Sequence, residues 1–104
     1  MSTQAHVVVD RGPVADAALI LAERSTLADH VTVAVGDWTV EIAMRTDDVP
    51  FDVWGSGTQA LWRLLCAISY SRHEVSLYEV ISRLDSRNTA AVADAISALC
   101  GVRA

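Results

Sequence analysis

The segment Val31-Thr-Val-Ala-Val-Gly-Asp-Trp-Thr-Val-Glu-Ile-Ala-Met44 alternates apolar and polar side chains on either side of Gly36-Asp37. Successive strand residues point to opposite faces, so alternation of this kind marks a half-buried strand. Two such runs around a Gly-Asp pair predict a hairpin with a two-residue primed turn. That register sets Val35 against Trp38, Val33 against Val40 and Val31 against Ile42. One face is then apolar, while Thr32, Ala34, Thr39 and Glu41 line the other. A two-stranded ribbon is marginal in water, so the rest of the chain must cover the apolar face.

Towards the N-terminus, Pro13 occupies the favoured first position of a helix, with Asp16 in the first turn and Arg24 near the last. Residues 13 to about 25 are therefore expected to be helical, and Val14, Ala17, Ala18, Leu21 and Ala22 form one stripe. The run Ala5 to Val9 stops at Asp10-Arg11-Gly12, so residues 1–12 read as a third strand or a flexible arm.

Beyond the hairpin, Phe51, Val53 and Trp54 sit in a segment too short to bury them itself. A helix is expected from about 58 to 71, capped by Ser56 or Thr58. Leu61, Leu64, Leu65 and Ile68 form one stripe, and Trp62, Cys66 and Ser69 an adjoining one, so this helix should touch two elements at once. Ser76-Leu-Tyr-Glu79 fits a capping box opening a short helix to about Leu84. Asp85-Ser-Arg-Asn88 provides turn and cap residues. A last helix is expected over Thr89 to Leu99, with Val92, Ala95, Ile96 and Leu99 on one face and Gly101 at its C-terminal cap. The expected fold is α+β. A small antiparallel sheet built on the 31–44 hairpin packs with an N-terminal helix and a C-terminal three-helix unit, in one domain spanning residues 1–104.

Composition agrees with a self-sufficient domain, since 52% of the 104 residues are hydrophobic and 20% charged. The basic side chains are arginine throughout; without lysine, Schiff-base chemistry is excluded. This usage, with abundant Ala and Val, points to GC-rich coding of bacterial or phage kind. The net charge of −5 is uneven: residues 1–56 sum to −6 and residues 57–104 to +1. An acidic half of this kind suits a protein contact better than nucleic acid. Cys66 and Cys100 have no Cys-x-x-Cys companion and read as free thiols, and His6, His30 and His73 show no ligand spacing. No run reaches the roughly 18 apolar residues of a membrane span, and no basic leader precedes an apolar stretch, so a cytoplasmic location is expected. No cofactor, metal or catalytic residue is expected. Gly55-Ser-Gly57-Thr58 lacks the lysine of a phosphate loop and reads as the start of a helix.

Residues 58–104, read as helix, loop, helix, turn, helix, loosely resemble the tri-helical core of helix-turn-helix and winged-helix DNA-binding domains. Val75 to Leu84 would stand as the second helix and Thr89 to Leu99 as the third. The resemblance implies a transcription regulator contacting DNA through Arg72, Arg83, Arg87 and Asn88. The outward positions of the third helix, Thr89, Ala90, Ala93, Asp94 and Ser97, carry none of the side chains that read bases, which disfavours nucleic acid. The preferred expectation is a non-enzymatic protein that binds another protein or forms a homodimer. Its contact surface is expected at Phe51, Trp54, Asp47, Asp48 and Asp52, although the aromatic residues read more readily as core, with an uncovered hairpin edge as a further candidate.

Overall fold

The hairpin forms, but displaced from the expected pairing by two residues. In the computed structural model, which describes residues 5–70 and 74–101, strand β2 (Val31–Val35) pairs antiparallel with β3 (Thr39–Met44). The register sets Val31 opposite Met44, Val33 opposite Ile42 and Val35 opposite Val40. The Gly36 N–H donates to the Thr39 carbonyl at 2.8 Å, leaving Asp37 and Trp38 at the tip. A shift of two preserves the alternation, so the intended valines still face inward. The primed turn is not made, because neither Gly36 nor its neighbours takes a positive φ. A third strand, β1 (His6–Asp10), explains the choice: it pairs with the other side of β3 and braces the tip. The Arg11 N–H donates to the Trp38 carbonyl and the Arg11 guanidinium to that of Gly36. Of the two readings for the N-terminal run, the strand is thus realised, and the sheet order is β1-β3-β2.

Helix α1 (Pro13–Arg24) runs as expected, with Pro13, Asp16 and Arg24 at the predicted places. Its buried face comprises Ala15, Ala17, Ala18, Leu21 and Ala22, while Val14 is only partly buried. Those alanines let the fourth helix, α4 (Ser86–Leu99), lie closely along α1 through Ala91, Val92 and Ala95, the most extensive packing between helices in the fold. Helix α2 (Ser56–Ser69) starts earlier than expected, with Gly55 rather than Ser56 or Thr58 at its cap. Leu61, Trp62 and Leu65 are fully or almost fully buried, each such side chain contributing about 1.5–3 kcal/mol of apolar burial. The wide apolar arc is used as anticipated, since α2 touches α1, β1 and the third helix, α3 (Leu77–Ser82).

Two one-turn 3-10 segments, Thr26–Asp29 and Phe51–Val53, link these elements. The α3 cap uses Ser76, whose hydroxyl accepts from the Glu79 N–H, and Asp85 caps α4 by accepting from the Asn88 N–H at 2.9 Å. Helix α4 therefore begins one turn before the expected Thr89. Its inward face is also rotated: Asn88, Ala91, Val92 and Ala95 are buried, whereas Ile96 and Leu99, expected in the core, are exposed. The reason is the partner, because α4 lies mainly on α1 rather than on α2 and α3. Among the described residues no helix is long and apolar enough to cross a membrane.

Candidate functional site

The acidic loop resolves into a fastened part and a free part. The His30 Nδ1 lies 2.5 Å from Asp48 Oδ2, while the Val49 N–H donates to Asp48 Oδ1 at 2.8 Å. The His30 hydrogen bond holds the Asp48 carboxyl below its ordinary range, opposed by partial desolvation and helped by Val49. The imidazole also stacks on Trp54, with centroids 4.5 Å apart, and Trp54 meets Trp62 edge-on and Phe51 at a tilt. The Trp54 indole N–H donates to the Val49 carbonyl. This cluster closes the 45–54 loop over the root of the hairpin. Trp54, expected as a contact residue, is only 6% exposed and belongs to the core. Phe51 is half-buried beneath the Arg63 guanidinium. Of the expected acidic contacts, Asp47 and Asp52 are exposed, whereas the side chain of Asp48 is mostly covered. The reading of His30 as a lone histidine misses this pair, whose members lie eighteen positions apart with no local motif to join them.

The residues implied by the DNA-binding resemblance go elsewhere. The Arg87 guanidinium donates to the Arg24 and Ser25 carbonyls, tying α4 to the end of α1. Asn88 is buried and satisfies the Thr26 N–H at 2.9 Å, while its amide donates to the Thr26 hydroxyl. That hydroxyl in turn lies 2.7 Å from the Thr58 hydroxyl. The end of α1 and the starts of α2 and α4 thus share one polar junction. Arg24 at the same junction pairs with Asp94. Arg83 is exposed at the end of α3, and Arg72 lies outside the described residues.

What the sheet leaves open lies on the far side of the hairpin. The bonds at Gly36–Thr39 and at His30–Arg45 set the parity of the β2–β3 ladder. Thr32 and Ala34 therefore bond to β3, and the N–H and C=O groups of Val31, Val33 and Val35 point to the open edge. The opposite edge, on β1, is partly closed, because the Val8 N–H donates to the Tyr70 hydroxyl at 3.0 Å. At the tip end of the hairpin, Val35 is 55% exposed and Trp38 84% exposed. The helices cover the inner face at Val31, Val40 and Ile42 and leave this end of β2 overhanging. Sequence reading placed Trp38 in a ladder pair, although the exposed edge itself was anticipated. A second apolar surface is formed by Leu77, Tyr78 and Ile81 on α3.

Two depressions of about 400 and 430 Å³ flank the sheet, one along Val8–Val14 and Ser69, the other along Thr32, Ala43–Asp47. Among the described residues, the polar side chains lining the first are Asp10, Arg11 and Ser69, and those lining the second are Thr32, Arg45, Thr46 and Asp47. Among the described residues no group of three His, Cys, Asp or Glu side chains is placed to hold a metal ion. Compared with known proteins, the chain matches no family model, no curated protein and no solved structure.

Proposed function

We propose that this chain is a small non-enzymatic module that acts by protein–protein contact or self-association, with the open side of the hairpin as its contact surface. The observation that carries this reading is the coincidence of an unpaired strand edge with the exposed Val35 and Trp38. An edge offers main-chain hydrogen bonds and its flanking side chains offer apolar anchors, the two components of strand addition. The exposed Asp47 and Asp52 add acid near the root of the same hairpin. A cytoplasmic site of action accompanies this reading, since Cys66 and Cys100 are free thiols and reducing compartments maintain such thiols.

The nucleic-acid alternative is weakened by the engagement of Arg87 and Asn88 in the polar junction, which among the described residues leaves Arg83 as the arginine of the implied set outside that junction. The test is capture with tagged protein from its native lysate, with and without nuclease, comparing wild type with Trp38→Ala. Nuclease-resistant capture of a defined protein, or of untagged copies of the chain, that is lost in Trp38→Ala supports the reading. Capture abolished by nuclease, or indifferent to Trp38→Ala, overturns it.

A further inference from the structure

We infer that the occupant of the open β2 edge is β2 of a second copy, paired antiparallel about a two-fold axis beside Val33. This rests on the contact surface proposed above and names its partner. In that pairing Val33 lies opposite its own counterpart and Val31 opposite Val35. Each free N–H of Val31, Val33 and Val35 then meets a free C=O of the other chain, and the relation is reciprocal, as an isologous dimer requires. The exposed Val35 of each copy comes to lie beside the second copy's Val31, which covers the overhanging end of the strand.

Charge favours a second copy over a charged peptide. Strand β2, Val-Thr-Val-Ala-Val, carries no ionisable side chain, whereas β1 contains His6 and Asp10 and β3 contains Glu41. Two chains of net charge −5 meet with least repulsion along such a neutral seam, and the seam offers nothing to attract a basic segment. Natural edges are protected by charge, proline or a covering group, as Tyr70 covers part of β1. β2 carries neither charge nor proline, and among the described residues no hydrogen bond is made to its outer edge.

Sedimentation of the full chain across a concentration series tests the pairing. Wild type is expected to pass from the 11.2 kDa monomer to a species of twice that mass as concentration rises to about 1 mM. Val33→Pro removes an edge N–H without breaking a β2–β3 bond, and Ala34→Lys sets like charges across the seam. Both variants are expected to remain monomeric over the same range. Ala34→Lys mixed with Ala34→Glu should recover the dimer, and circular dichroism of each variant verifies its fold. Wild type that stays monomeric throughout, or variants that dimerise like wild type, overturns the inference. A monomeric wild type that still captures a protein partner through Trp38 overturns the second copy alone and leaves the contact surface standing.

Discussion

The His30 Nδ1 sits 2.5 Å from Asp48 Oδ2, and this pair joins the start of β2 to a loop eighteen residues further along the chain. Because the imidazole also stacks on Trp54, one histidine fastens both the acidic loop and the aromatic cluster beneath it. The Asp48 carboxyl titrates below its ordinary value of 3.8, chiefly because of the His30 hydrogen bond. A carboxyl whose pKa is lower in the folded than in the unfolded chain adds stability above the unfolded value. That stability is lost as pH falls through the folded value. Thermal denaturation of wild type and Asp48→Asn should therefore show wild type ahead near neutrality, with the gap closing as pH drops below the ordinary carboxylate range. A gap that persists unchanged into acid would exclude this origin.

Trp54 and Trp38 should behave in opposite ways. Trp54→Ala empties a site in the core and is expected to cost about 3–5 kcal/mol in chemical denaturation. Trp38→Ala removes a side chain that is 84% exposed, so stability should change by no more than about 0.5 kcal/mol. Equal losses in the two variants would contradict the register of the hairpin.

Asn88→Ala leaves the Thr26 N–H without its acceptor in a partly buried site. A cost of about 1–3 kcal/mol is expected. Amide exchange at Thr26 should accelerate in the variant, whereas a rate equal to wild type would place the junction elsewhere.

Gly57 lies where α2 crosses the end of α3, and a Cβ at that position would stand 2.7 Å from the Arg83 carbonyl oxygen. The obstacle is backbone, so Gly57→Ala must separate the two helices. We expect a loss of about 1–3 kcal/mol, read as a lowered denaturation midpoint. Gly55→Ala meets nothing within 4 Å and is the matched control.

The two thiols should differ sharply in reactivity. Burial pushes the Cys66 thiol up to about 11, while Cys100 is exposed. A thiol reagent at neutral pH should label Cys100 rapidly and Cys66 only on unfolding. Mass spectrometry of peptides from the native protein distinguishes the two, and early labelling of Cys66 would show that α2 opens.

Much of the architecture could be read from local patterns. The 31–44 alternation, Pro13 at a helix start, the Ser76 cap and Gly101 after the last helix all reappear in the fold. These features depend on neighbours within a few residues, and local sterics and hydrogen bonding act at that range. Register was harder to read, because pairings that differ by two residues keep the same side chains inside. The choice fell to β1, which pairs with β3 and braces the tip.

By itself, then, the amino-acid order determined the element types, the α+β class and which strand face is apolar. The tertiary structure decided that α4 lies on α1, which turns Asn88 inward and Ile96 and Leu99 outward. It also decided that Trp54 is core, that Trp38 is exposed and that Asp48 belongs to His30. Each of these depends on groups many positions apart, and which one meets which is selected by the packing of whole elements rather than by any preference encoded nearby.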